Sequence, residues 1–95
     1  MRYTVHFTGR VQGVGFRFTA QRLAQSHTVA GYVGNLPDGR VLLVVEGAAA
    51  ELDGLLKDIA ADMRDNIRHT QVDKSSATGE FGSPTAGRGN VSIRM

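Results

Sequence analysis

Across one run of glycines the hydrophobic period of this chain changes from two residues to the helical spacing. Tyr3, Val5 and Phe7 alternate with Thr4, His6 and Thr8, the pattern of a half-buried strand. Gly9, Gly13 and Gly15 follow, and then Phe16, Ala20, Leu23 and Ala24 recur at helical intervals. The spacing predicts a helix over residues 16–26, with Arg17, Gln21, Arg22 and Gln25 on its other faces. The connecting run, Gly9-Arg10-Val11-Gln12-Gly13-Val14-Gly15-Phe16-Arg17, therefore sets backbone N–H groups beside a helix start and adds a guanidinium. A phosphate-sized anion needs that combination.

The remaining pattern completes a β-α-β-β-α-β order. Residues 28–35 read as a second strand anchored by Val29 and Val33, and Leu36-Pro37-Asp38-Gly39 reads as a turn, with Pro setting φ and Gly permitting φ > 0. Residues 40–46, with the apolar run from Val41 to Val45, read as a central strand paired with its predecessor as a hairpin. Leu52, Leu55, Leu56, Ile59, Ala60 and Met63 form one helical stripe, and Asp53, Lys57, Asp58 and Asp62 face water, Asp53 and Lys57 as an i,i+4 pair. Residues 71–81 read as a weaker strand, residues 83–90 as a mobile loop, and Val91 and Ile93 as a short closing strand. The expected fold is α+β: a ferredoxin-like βαββαβ sandwich, two helices on one face of an antiparallel sheet, with a short extra C-terminal strand.

Ninety-five residues suit a single domain over 1–95 with one core. Cysteine is absent, so there is no disulfide framework and no thiolate nucleophile; a reducing, cytoplasmic setting is expected. The N-terminus turns polar within a few residues, unlike a signal peptide, and no apolar run is long enough to span a membrane. Charge is uneven. Residues 1–45 hold five arginines against Asp38, a net +4, whereas residues 46–95 hold six basic and eight acidic residues, a net −2. The positive half carries the glycine-rich loop, which favours an anionic ligand there. Neither a dense basic stripe nor aromatics on the central strand, residues 40–46, are present for nucleic acid.

Glycine spacing alone admits two readings of the loop. It is not a Walker A loop, since no Gly-Lys-Ser/Thr follows, and it lacks the third glycine of a dinucleotide fingerprint, with Phe18 in that place. A plain strand-to-helix turn would account for it. Arg17 at a helix N-terminus is electrostatically unfavourable without an anion nearby, and a bidentate phosphoryl contact would relieve that; a solvent-facing arginine is the alternative. Asn35 before the turn is either a local turn residue or an amide that holds a water by one donor and one acceptor. His6, His27 and His69 show no metal-ligand spacing and read as surface or locally satisfied residues. Ser75-Ser76 and the Asp62/Asp65 pair form no catalytic arrangement, and Tyr3, Phe7 and Phe16 read as core.

Taken together these residues resemble the acylphosphatase family. Its first signature, Gly-x-Val-Gln-Gly-Val-x-Phe-Arg, stands complete at Gly9–Arg17. Its second stands as Gly31-Tyr32-Val33-Gly34-Asn35, then Asp38-Gly39-Arg40-Val41, then Gly47. The resemblance covers most of residues 3–63. Departures are Gly34 where a basic or longer residue is common, Asn66-Ile67 where Gly-Pro is usual, and Val91-Ser92-Ile93-Arg94 at an ending that often reads Phe-x-Ile-Arg.

The resemblance implies hydrolysis of carboxyl-phosphate anhydrides such as acetyl phosphate. It implies a cradle of Arg17 and the backbone of Gly13, Val14, Gly15, Phe16 and Arg17, with Arg17 and Asn35 catalytic and Asn35 orienting the attacking water. Phosphoryl transfer of this kind rests on positioning and charge stabilisation. No metal or cofactor is implied, and a substrate phosphate oxygen serves as proton acceptor. The expected partner is a small acyl phosphate, with no nucleic acid, no membrane and a monomeric state. The alternatives are a non-catalytic anion-binding module and a carbamoyl-phosphate-directed domain like those inside larger carbamoyl-transfer proteins. The chain's end at Met95 leads to the expectation of the stand-alone form.

Overall fold

The computed structural model describes residues 1–94; Met95, the chain end cited above, lies outside the described residues. The elements are β1 (Arg2–Gly9), α1 (Phe16–Ala24), β2 (Val29–Asn35), β3 (Val41–Gly47), α2 (Ala49–Asp62), β4 (Ile67–Ser75) and β5 (Asn90–Arg94). They form a five-stranded sheet in the order β4-β1-β3-β2-β5. The β1 alternation puts Tyr3, Val5 and Phe7 into one core with Phe16, Ala20 and Ala24 of α1 and Leu52, Leu55 and Ile59 of α2. Both helices thus cover the same sheet face. Each fully buried leucine or isoleucine of α2 contributes about 2 kcal/mol relative to an exposed one.

β3 lies between β1 and β2 and pairs antiparallel with both. Its unbroken apolar run reflects burial on both faces. Val41, Leu43 and Val45 point to the helices, and Val44 is buried on the opposite face. That face is covered by the segment after β4. Phe81 meets Tyr32 edge-on with ring centroids 5.8 Å apart, and Tyr32 stands opposite Val44 in the ladder.

Three expectations change. The sheet is mixed rather than antiparallel, because β5 runs parallel to β2, from Ala30↔Asn90 to Gly34↔Arg94. The chain leaves β4 at one edge, crosses the helix-free face and joins the far edge in the direction of β2. The fourth strand is Ile67–Ser75, not residues 71–81. As an edge strand it has only Ile67 and Val72 half-buried, so no alternation marks it; its register comes from the β1 ladder, Arg2↔Ser75 through Gly9↔Ile67. Phe81, which extended the expected strand, belongs to the crossing segment. Asp53 does not form an ion pair with Lys57; it accepts a hydrogen bond from the Tyr3 hydroxyl at 2.7 Å, which satisfies a phenol otherwise closed off in the core. Smaller differences follow the same logic. α1 ends at Ala24, its last turn tightening to the bonds Gln25 N to Arg22 O and Ser26 N to Leu23 O. Ala60 is exposed rather than in the apolar stripe, and residues 85–88 close a small bridged turn within the expected loop.

One buried carboxylate anchors the crossing segment. Glu46, 2 % exposed, accepts hydrogen bonds from Thr78 N at 2.9 Å, Thr78 Oγ1 at 2.8 Å, Gly79 N at 3.0 Å and the Arg2 guanidinium at 3.1 Å. Arg2 also pairs with Glu80. Burial pushes the Glu46 carboxyl up, but the Thr78 and Gly79 donors and Arg2 more than offset this and hold it below its ordinary 4.5. A depressed folded pKa stabilises the fold fully above the unfolded value, and the contribution is lost as pH falls through the folded one. Glu46→Ala should lower stability at pH 7 by about 3 kcal/mol, since the Thr78 and Gly79 N–H groups and the Arg2 guanidinium all lose their shared acceptor. In urea titrations the gap between wild type and Glu46→Gln should narrow as pH drops below about 4.5. A gap that is constant with pH would contradict this account.

Candidate active site

The loop from Arg10 to Gly15 joins β1 to α1, and its path is set at both ends by burial. Val11 and Phe16 are almost fully enclosed. The Phe16 ring packs on Phe7 with centroids 4.9 Å apart and planes tilted by 55°. Between these anchors Gly13 and Gly15 take φ of 75° and 77°, the left-handed region open to glycine at little cost. Gly15 is the helix N-cap, so no side chain caps α1, and no acidic residue lies in its first turn. Thr19 N is the donor to Gly15 O, at 3.0 Å. The N–H groups of the first turn therefore lack intrahelical acceptors and carry the positive end of the helix dipole.

Arg17 sits in that turn, half-buried, and forms no ion pair among the described residues. Arg40, by contrast, is engaged with Asp38 through its Nε at 2.8 Å. The Arg40 backbone N–H, reinforced by its side chain, holds the Asp38 carboxyl below the usual carboxylate range.

Asn35 ends β2 opposite Val41, and Val41 in turn stands opposite Phe7 of β1. Side-chain alternation puts Asn35 on the helix-covered face with Val33, in the same cross-strand row as the Phe7 that carries Phe16. The α1 N-terminus and the Asn35 amide thus share one end of one face. Asn35 Oδ1 is buried and accepts no hydrogen bond from protein. A buried acceptor without a donor is costly, and this one belongs to the same end of the sheet as the uncapped start of α1.

Of the residues singled out in the sequence, Gly13, Val14, Gly15, Phe16, Arg17 and Asn35 come to this one end. The Phe16 ring is part of the core, while Val14 is exposed. His27 is satisfied locally by Asp58 at 2.7 Å and Glu51 at 3.3 Å. His6 lies half-buried on the helix-free face with Nδ1 unpartnered. Among the described residues no His/Cys/Asp/Glu group is arranged to hold a metal ion.

Two features escaped the sequence. Gln12 Nε2 donates to Leu36 O at 2.8 Å and Arg40 O at 3.0 Å, joining the loop to the β2–β3 turn. At the loop's other end Arg10 N donates to Asn66 O at 2.9 Å, and Asn66 Nδ2 to Arg10 O at 3.1 Å. An open depression beside that second tie is lined by Thr8, Gly9, Arg10, Asp65, Asn66 and Arg68. Both ties end on backbone carbonyls, which no residue pattern announces.

A mixed α+β sandwich with a glycine-rich loop between its first strand and its first helix defines the class of protein. The acylphosphatase family profile matches residues 3–83. An acylphosphatase of Paenarthrobacter aurescens (strain TC1) is 40% identical over 82 residues, which are 85% of this chain and 87% of that protein. The crystal structure of acylphosphatase from Bacillus subtilis superposes with a TM-score of 0.78 at 28% identity, covering 99% of this chain and 98% of the other. The crystal structure of T. kodakarensis HypF superposes with a TM-score of 0.77 at 28% identity, covering 100% of this chain but only 12% of that one. The chain belongs to the acylphosphatase family.

Proposed function

We propose that this protein hydrolyses carboxyl-phosphate anhydrides to a carboxylate and inorganic phosphate. The backbone N–H groups from Gly13 to Arg17 and the Arg17 guanidinium hold the phosphoryl oxygens. Asn35 orients a water in line with the bond from phosphorus to the acyl oxygen. The water oxygen bonds to phosphorus, the P–O bond to the acyl group breaks, and the electron pair leaves on the carboxylate. The water's proton passes to a phosphate oxygen. A carboxylate is a weak base and departs without a general acid, so hydrogen-bonding groups that hold the phosphoryl oxygens and the water suffice.

The observation that carries this reading is the buried, unpartnered Oδ1 of Asn35 at the same end of the sheet as the uncapped α1 N-terminus. An acceptor for a water hydrogen and a set of donors for phosphoryl oxygens are the two halves of an in-line hydrolytic site. No metal enters the proposed reaction. We further read the chain as a single acylphosphatase-like domain over residues 1–95, acting as a cytoplasmic monomer on a small acyl phosphate, without nucleic acid. No helix among the described residues is long and apolar enough to cross a membrane. This fold also occurs as 12% of the longer HypF chain, and the second reading is a non-catalytic anion-binding module or a carbamoyl-phosphate-directed domain of the same fold. Phosphate release from acetyl phosphate and from carbamoyl phosphate, measured side by side, separates the two.

Arg17→Ala should lower kcat/KM for acetyl phosphate by at least about a hundredfold and abolish competitive inhibition by inorganic phosphate. Wild-type kinetics in that variant would dismiss the cradle. Asn35→Ala should lower kcat by about 100- to 1000-fold with KM little changed, because it acts on the water rather than on bound substrate; a change in KM alone would contradict the role. Turnover should be the same before and after treatment with EDTA. Strict dependence on added magnesium would rule out the metal-free site.

A further inference from the structure

We propose that Gln12 is a positioning residue that sets the spacing between the phosphate cradle and the Asn35 amide. Its role rests on the hydrolytic reading above and adds a residue to which that reading assigns no task. Gln12 lies in the loop immediately before Gly13, and its half-buried carboxamide points across to the β2–β3 turn that follows Asn35. Both donor hydrogens of Nε2 are used, one on Leu36 O at 2.8 Å and one on Arg40 O at 3.0 Å. Those two carbonyls are the mouth of the turn. Leu36 O also accepts from Gly39 N at 3.1 Å, and Arg40 O from Leu36 N at 2.8 Å. Each carbonyl therefore gives one lone pair to the turn and one to Gln12. Among the described residues, these are the only hydrogen bonds joining the loop of residues 10–17 to the segment 35–41.

The consequence is geometric. Leu36 is covalently next to Asn35, and Gln12 is covalently next to the first cradle amide, Gly13. One side chain thus links the group that aligns the nucleophile to the groups that hold phosphorus, while the Arg10–Asn66 tie fixes the loop at its other end. In-line attack is sensitive to that spacing; a displacement of 1 Å costs about a hundredfold in rate. Residue type follows as well. Alanine removes both donors. Glutamate keeps the shape but sets a carboxylate against two carbonyl oxygens. Neither change removes the turn's own backbone bonds, so the variants should fold.

The test is steady-state hydrolysis of acetyl phosphate by wild type, Gln12→Ala, Gln12→Glu, Asn35→Ala and the Gln12→Ala/Asn35→Ala double variant. Inhibition by inorganic phosphate and thermal melting are measured on each. Expected are a 10- to 100-fold fall in kcat for both Gln12 variants, roughly as a 1 Å misplacement would give, with KM and the phosphate inhibition constant moving less than about threefold. The melting temperature should drop by only about 4–8 °C. In the Asn35→Ala background the Gln12 substitution should cost almost nothing further, since the two act on the same water. Equal losses in both backgrounds, or a loss in phosphate affinity matching the loss in kcat, would overturn the proposal and make Gln12 a general support of the loop. A second readout does not need turnover. The Asn35 side-chain amide should give one sharp pair of peaks in ¹H–¹⁵N spectra of wild type and broadened or doubled peaks in Gln12→Ala. An unchanged Asn35 signal in Gln12→Ala overturns the proposal even if wild type hydrolyses no acyl phosphate, which by itself would overturn only the hydrolytic reading.

Discussion

The contact between Phe7 and Phe16 is the constraint on which the rest of the site depends. Phe7 is near the end of β1 and Phe16 opens α1, and their rings meet at 4.9 Å in the core. Eight residues must therefore leave the sheet, turn and return over almost no distance. That is possible here because Gly13 and Gly15 take left-handed conformations. The same closure leaves α1 without a side-chain cap, its start at the end of the sheet where β2 finishes. Hydrophobic burial thus holds a set of donors in place that have no acceptor of their own.

The opposite face of the sheet solves a different problem. β4 and β5 are edge strands on opposite sides, and the chain between them must cross the helix-free face. Val44 and Tyr32 offer that segment an apolar bed, and Glu46 supplies its one strong anchor, a buried carboxylate taking hydrogen bonds from two backbone amides, a hydroxyl and a guanidinium. A buried charge is tolerable only when so fully satisfied. By placing β5 beside β2, the crossing covers the outer edge of the strand that ends in Asn35.

Legibility along the chain followed burial. β1 and α2 were readable because one face of each is fully packed and the other is more open, half-buried in β1 and largely exposed in α2, which writes a period into the residues. β3 was readable as central because its run of apolar residues is packed on both faces. β4 was not, since seven of its nine residues are exposed and its position is dictated by the ladder of β1 rather than by its own side chains. Asp53 misled for a related reason: it sits on the wet side of a helical wheel, yet the Tyr3 hydroxyl reaches it from the sheet. For the candidate site, Arg17 and Asn35 stood out through the paired motifs, whereas Gln12 stood inside the first motif with nothing to say what it touches.

By itself the sequence determined the strand–glycine loop–helix unit, the hairpin, the amphipathic second helix and the residue types available for anion binding. These are local matters, settled by hydrophobic period and by the backbone freedom of glycine within a few residues. Only the tertiary structure decided that β5 runs parallel to β2, that residues after β4 cross the sheet to Glu46, and that the Gln12 carboxamide spans from the loop to the β2–β3 turn. Each of those depends on hydrogen bonds between backbone or side-chain groups distant in sequence, and such partners leave no periodic trace in the order of residues.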